Sequence, residues 1–225
     1  MVKTTWEIVD LGEDRMRVFM STRRVALLLA GVVAIVVVAA VPVGAAGARI
    51  NVSKYGFSFV VPANWTQIPL DGAKVNDILN KALKADPALK ASFVKEVEEA
   101  PTNKTVFLAI GPVLDDFATN INIIVSSAAG YPDNNSYFAI ADSQIKSDLT
   151  GGGFEGITVS VVHLPFGKEL EATYTAPLAT SGSYVYGLQL YIKHKAHIEI
   201  VTFTSSSQSA DLAATDTLVN SWNWN

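Results

Sequence analysis

From Val25 to Ala48 the chain runs 24 residues without a charge, and 20 of them are apolar. No other segment constrains the molecule so strongly. A helix rises 1.5 Å per residue, so the roughly 19 residues from Val25 to Val43 are long enough to cross a hydrocarbon layer about 30 Å thick. The run follows Ser21-Thr22-Arg23-Arg24 and ends in Gly44-Ala45-Ala46-Gly47-Ala48. A basic stretch, an apolar stretch and a small-x-small ending are the parts of an export signal, and they place a cleavage between Ala48 and Arg49. Pro42 helps by ending the apolar helix a few residues before that bond.

Two readings of the leader follow. In one it is a signal peptide that is removed, and a start at Met20 gives it ordinary length, with residues 1–24 as an N-terminal segment in part upstream of the true start. In the other, residues 25–48 stay as a membrane anchor behind a tail containing Lys3, Arg15, Arg17, Arg23 and Arg24. In both, the positive side remains in the cytoplasm and residues 49–225 lie outside it, secreted or held at the cell envelope. Contact with a membrane is expected only through the apolar segment, if it is uncleaved.

Beyond Ala48 there are twelve Lys/Arg against seventeen Asp/Glu. This acidity gives a nucleic-acid partner no basic surface. The chain has no cysteine, which removes disulfides, thiolate metal sites, cysteine nucleophiles and a lipobox anchor. Residues 49–225 suit one domain with a substantial core.

Within that domain, period-two runs alternate with helical ones. Tyr55 to Val61 reads as a strand stopped by Pro62, with Phe57 and Phe59 in the core, and Trp65 to Ile68 as a short second strand. Helices are expected from Asp71 to about Ala85, from Pro87 to near Pro101, and from Pro132-Asp133 through a stripe of Tyr137, Ile140, Ala141, Ile145 and Leu149, the last ended by Gly151-Gly152-Gly153. Thr105–Ile110 and Asn120–Val125 read as strands around a loop holding Gly111-Pro112 and Asp115-Asp116. Four further strands, near 157–164, 168–175, 183–193 and 197–204, are joined by turns too short for anything but antiparallel pairing. A helix from Ser209 to Trp222, with Leu212, Leu218 and Val219 facing inward, follows. The pattern predicts an α+β domain, an antiparallel sheet with helices packed on its faces.

Tyr55-Gly56-Phe57-Ser58-Phe59-Val60-Val61-Pro62-Ala63-Asn64-Trp65 resembles the Gly-Phe-Ser-Phe-x-x-Pro-x-x-Trp opening of the PsbP-like fold family. The order of elements over Asn51 to Asn225 fits the same family, as does the ending from Ile200-Val201-Thr202-Phe203-Thr204 into a helix closed by Ser221-Trp222. The leader makes the chain nearest in character to the LpqN-type exported envelope proteins of actinobacteria, without their lipobox cysteine. That resemblance implies an αβα sandwich and the role of a binding or accessory module. It implies no catalytic residues, since the family shares none.

The residues themselves offer little for catalysis. His194 and His197 flank a turn with Lys193, Lys195 and Glu199, and the lysines oppose a metal cation there. His163 reads as a partly buried strand residue. Ser143 to Lys146 matches Ser-x-x-Lys but falls in mid-helix, and no Gly-x-Ser-x-Gly elbow is present. Glu169 and Glu171 alternate with Leu170 and Ala172, as on a solvated strand face. No catalytic residue, cofactor or metal site is assigned. The recognition equipment is uncharged: Tyr131, Tyr184, Tyr186 and Tyr191 are the candidate partner-binding residues, while Trp224 lies past the last helix with no place read for it. The expected role is a non-enzymatic binding or accessory module of a bacterial envelope, its partner an envelope protein or small envelope ligand. The alternatives are a membrane-anchored accessory subunit and a hydrolase with an unrecognised site.

Overall fold

The computed structural model describes residues 47–71, 75–82, 87–114, 117–132, 134–177 and 184–225. The apolar leader up to Ala46, Leu83, Asp115-Asp116 and Asp133 lie outside the described residues, as does the side chain of Leu212. Among the described residues no helix is long and apolar enough to cross a membrane.

Among the described residues ten strands and four helices follow one another as β1 (Arg49–Val52), β2 (Phe57–Val60), β3 (Thr66–Gln67), α1 (Val75–Ala82), α2 (Pro87–Asn103), β4 (Thr105–Leu114), β5 (Phe117–Ser127), α3 (Ser136–Gly151), β6 (Glu155–Leu164), β7 (Gly167–Pro177), β8 (Tyr184–His194), β9 (His197–Ser205), α4 (Gln208–Ser221) and β10 (Asn223–Trp224). Seven strands form one antiparallel sheet in the order β3-β4-β5-β9-β8-β7-β6, and β1-β2-β10 form a small second sheet. The α+β expectation and the run of late hairpins are met.

Period-two alternation in β4, β5, β8 and β9 assigns side chains to two faces of the large sheet. Phe107, Ala109, Ile121, Ile123, Val125, Leu188, Leu190, Ile192, Val201 and Phe203 point to face A, where the small sheet and α4 cover them with Phe57, Phe59, Leu218, Val219 and Trp222. Leu108, Ile110 and Val185 point to face B beneath α1 and α2, through Val75, Leu79, Phe93 and Val97. Further along the same face, Ile124, Leu170, Ala172, Tyr174, Tyr191, Ile198 and Ile200 pack under α3 through Tyr137, Ala141, Ile145 and Leu149. Helices therefore lie on both faces.

Phe57 and Phe59 are both fully buried, as the alternating opening strand requires. They stack on Trp222 with ring centroids 4.6 and 5.6 Å away, and Phe59 meets Phe107 edge-on at 4.9 Å. The chain then leaves α4 in extended conformation at Trp222. β10 pairs with β2, Trp224 opposite Phe57, and the Asn225 N–H donates to the Gly56 carbonyl at 2.8 Å. Trp224 thus ends in a sheet, a placement that two isolated residues after a helix do not announce.

Several expectations are corrected. A strand, β1, begins at Arg49 itself. Helix α1 is described over Val75–Ala82, while residues 72–74 and 83–86 of the expected helix lie outside the described residues, and α2 runs past Pro101 to Asn103. Gly111-Pro112 is no loop: β4 continues to Leu114, with a register shift between Ile110 and Val113. Proline supplies no ladder hydrogen and is tolerated at such irregularities. Ile140 is exposed, because the buried stripe of α3 passes through Tyr137 and Ala141 on either side of it. Of Gly151, Gly152 and Gly153, the first still belongs to α3 and Gly153 alone takes a left-handed φ of 83°, which L-residues with a Cβ rarely adopt.

Candidate binding site

The four candidate tyrosines divide between the two faces. On β8, Tyr184 and Tyr186 share face A with Leu188, Leu190 and Ile192, but they sit at the end of the strand that α4 and the small sheet do not cover. Tyr184 is 49% exposed and Tyr186 half-buried. Their register partners on β7 are Pro177 and Thr175, and on the same strand Thr173 opposes Leu188 and Glu171 opposes Leu190. Across β7, Ser160 and Thr158 of β6 stand opposite Glu171 and Thr173. Together these residues make an open, largely uncharged surface with two aromatic anchors. Glu171, its one carboxylate, is held above the usual range by burial.

Tyr191 does not belong to that surface. It points to face B, where α3 covers it to 3% exposure, and its hydroxyl donates to Gln189 Oε1 at 2.5 Å. Burial, reinforced by Tyr174 and Asp148 nearby, raises its pKa well above the phenol value. Tyr131 is half-buried at the start of α3, edge-on to Tyr137 at 5.5 Å. In the sequence, Tyr184, Tyr186 and Tyr191 read together as candidates. Their spacing of five residues from Tyr186 to Tyr191 is odd, and odd spacing on a strand means opposite faces.

The histidines turn toward aromatic rings. His194 and His197 close the β8–β9 hairpin as register partners. The His194 ring stacks on Trp224 at 3.9 Å, and His197 meets Tyr55 edge-on at 5.5 Å. Burial, then the positive charge of Lys195 and the neighbouring His197, lowers the His194 pKa. His163 is exposed on β6, where a partly buried position was expected. Among the described residues no three His, Asp or Glu side chains stand where they could hold a metal ion.

Glu169 was expected in solvent and is instead buried, 6% exposed, on face A. Glu199, 1% exposed, lies on the same face, two strands away across β8, where Ile192 is its register partner. Glu169 Oε2 accepts the Lys193 N–H at 3.0 Å, while Glu199 Oε2 has no hydrogen-bond partner. Burial pushes Glu169 up to about 7 against the opposing pull of the Lys193 N–H and charge. Burial pushes Glu199 up to about 8, and repulsion from Glu169 adds to it. The alternation argument failed here because the small sheet and the Phe166 and Trp224 rings extend the covered part of face A over β7.

Sequence reasoning also missed two polar rows inside the molecule. On face B, Asn120, Thr204, Gly187 and Tyr174 stand side by side across β5, β9, β8 and β7, and Asn122, Thr202, Gln189 and Ala172 form the next row. All the polar members but Tyr174 are under 5% exposed. Gly187 is required there, because a Cβ would stand 2.2 Å from the Tyr174 ring that crosses it. The signal was present as Asn-x-Asn and Thr-x-Thr at period two, and it reads by default as a solvated strand face.

At the start of the chain, the Ala48 carbonyl accepts the Val61 N–H at 3.0 Å, and Arg49 Nη1 donates to Ser58 Oγ at 3.1 Å. The candidate cleavage bond thus adjoins the first residue of β1.

No known family model matches the chain, and no curated protein matches it in sequence. Solved structures similar to it include LpqN of Mycobacterium tuberculosis, described as involved in cell envelope biogenesis, at 12% identity and a TM-score of 0.43 over 80% of this chain and 86% of that one. CyanoP, the cyanobacterial PsbP of Synechocystis, is similar at 12% identity and a TM-score of 0.47 over 84% and 99%. The Ran-binding protein Mog1p of Saccharomyces cerevisiae is similar at 7% identity and 0.44 over 79% and 95%.

Proposed function

We propose that this chain is an extracytoplasmic binding or accessory module of a bacterial cell envelope, and that it works by recognition through the open part of face A around Tyr184 and Tyr186. The observation that carries the reading is the change along β8. The same face that buries Leu188, Leu190 and Ile192 comes out from under α4 and presents two tyrosines to solvent. Tyrosine offers large, rigid contact area with a polar tip, which suits an interface. The leader, with Arg23-Arg24, its apolar run and Ala46-Gly47-Ala48, supports the compartment. Support for recognition over chemistry comes from the groups that could do chemistry. Glu169 and Glu199 are buried, and the rings of His194 and His197 are engaged with Trp224 and Tyr55.

The test is site-specific photo-crosslinking of the full chain expressed in a bacterial envelope, with a photoreactive phenylalanine at Tyr184 or Tyr186 and a control at Ile140. Discrete adducts from Tyr184 and Tyr186 and none from Ile140 support the reading. Equal labelling at all three positions, or none, overturns it. Loss of a measured activity on His194→Ala or His197→Ala, with an unchanged thermal melt, would move the assignment to an enzyme.

A further inference from the structure

The large sheet ends on one side in β3, two residues long, and on the other in β6, ten residues long. A free strand edge is a template for another strand, and proteins blunt such edges with proline, lysine or a very short strand. β3 uses the last device. β6 has one irregularity, a register shift between Glu155 and Thr158 at its N-terminal end, but it is regular from Thr158 to Leu164, and its sequence, Glu155-Gly156-Ile157-Thr158-Val159-Ser160-Val161-Val162-His163-Leu164, has neither proline nor lysine and is rich in β-branched residues. Among the described residues it pairs on one side only, with β7.

Charge is distributed unevenly along this edge. Glu155, exposed, stands at its N-terminal end. His163 and, just past the turn, Lys168 stand exposed at its C-terminal end, with Gly156 to Val162 uncharged between them. Antiparallel pairing of the edge with itself sets each acidic end beside the other's basic end. Parallel pairing would set like ends together.

The exposed apolar side chain of the strand has the same answer. Ile157 and Val159 are half-buried against the α3 cluster on face B. Val161, next on that face, is 45% exposed. A cross-strand neighbour from an antiparallel partner would shelter it, since opposed Cβ atoms lie about 4.5–5.5 Å apart.

We propose that the outer edge of β6 binds β6 of a second copy of this chain, antiparallel about a two-fold axis near the middle of the strand, so that two seven-stranded sheets become one. Such an interface is isologous, the same patch meeting itself. It borders the recognition surface at Thr158 and Ser160 of β6 but does not use Tyr184, Tyr186 or the hairpin at His194, which β7 and β8 carry away from the edge.

The absence of cysteine makes the test direct, because every introduced thiol is the sole one in the chain. Val159→Cys, Ser160→Cys and Val161→Cys are made in the full chain, with Val113→Cys as an exposed control on β4, and each is oxidised mildly in detergent. The residue on the two-fold axis meets its own copy within disulfide reach. Several-fold more disulfide dimer at one of the three β6 positions than at Val113 is the expected result, and the position that crosslinks reads the register. Sedimentation of the unmodified chain should give a dimer, and Val161→Lys should abolish it with the thermal melt unchanged. The proposal is overturned if no β6 position exceeds Val113, if the Val161→Lys chain stays dimeric, or if β6 thiols crosslink only to a different protein.

Discussion

On face A of the large sheet the core is largely aromatic: Phe57, Phe59, Phe107, Phe203 and Trp222 cluster with Leu188, Leu190 and Ile192. On face B of the same strands the apolar clusters under α1–α2 and under α3 are separated by Asn120, Asn122, Thr202, Thr204 and Gln189. The backbone is shared, so the difference lies in side chains one position apart. Buried apolar area stabilises without regard to direction, at about 25 cal/mol per Å². A buried amide or hydroxyl stabilises only when paired. Asn120 Nδ2 donates to the Ala118 carbonyl at 3.2 Å, yet Asn120 Oδ1 and Thr204 Oγ1 have no hydrogen-bond partner. Face A holds the fold together, and face B carries polarity that folding alone does not require.

The largest expected effect breaks face A. Phe59→Ala removes a ring that touches Phe57, Phe107 and Trp222, and such large-to-small core changes cost about 3–5 kcal/mol. Denaturant melts measure it, and a loss under ~1 kcal/mol would show that the aromatic stack is dispensable.

The next effect belongs to the two carboxyls buried on face A. Glu199 and Glu169, raised to about 8 and about 7 from an ordinary 4.5, hold protons in the folded state that the unfolded chain releases near pH 4.5. The folded state therefore binds more protons across that interval, and stability falls as pH rises from about 4.5 through about 8. Glu199→Gln keeps the shape and removes the titration. The melting temperature of the variant should decline less between pH 6 and pH 9, with a difference on the order of 2 kcal/mol at the alkaline end. Parallel pH profiles for the two proteins would show that Glu199 is ionised without penalty.

How much of this was legible in the sequence follows from the same contrast. Strand boundaries from Glu155 to Ser205 were readable because short turns and alternating residues leave antiparallel hairpins as the one solution. Phe57 and Phe59 were readable as core. Alternation names which residues share a face but not whether that face is covered, so Glu169 was read as solvated and Asn120 and Thr204 passed unremarked. Cover comes from distant segments. β10 lies more than 160 residues from its partner β2, and no local pattern at Asn223-Trp224 indicates that it will seal face A. Of the candidate tyrosines on β8, Tyr184 is exposed and Tyr186 half-buried, whereas the odd spacing to Tyr191 sends that residue into the core.

On face B the expected change is smaller and opposite in sign to that on face A. Thr204→Val replaces an unpartnered hydroxyl with a methyl of the same shape, and stability should stay within about 1 kcal/mol or rise. A loss well above that value in denaturant melts would show that the hydroxyl is paired in solution, through ordered water, and that face B is as tightly specified as face A.

The smallest effect on stability is expected where face A opens. Tyr184→Ala removes a side chain that is 49% exposed, so the melt should move by no more than about 0.5 kcal/mol, as for a surface substitution. Tyr191→Ala, five to seven residues along the same strand but under α3, should cost several times as much, as loss of a buried aromatic does. The pair separates a recognition residue from a packing residue on one strand. If partner capture in the envelope falls with Tyr184→Ala while the melt does not, the open end of face A is the contact surface. If capture falls only with Tyr191→Ala, and in proportion to lost stability, the tyrosines act through folding and the contact surface lies elsewhere.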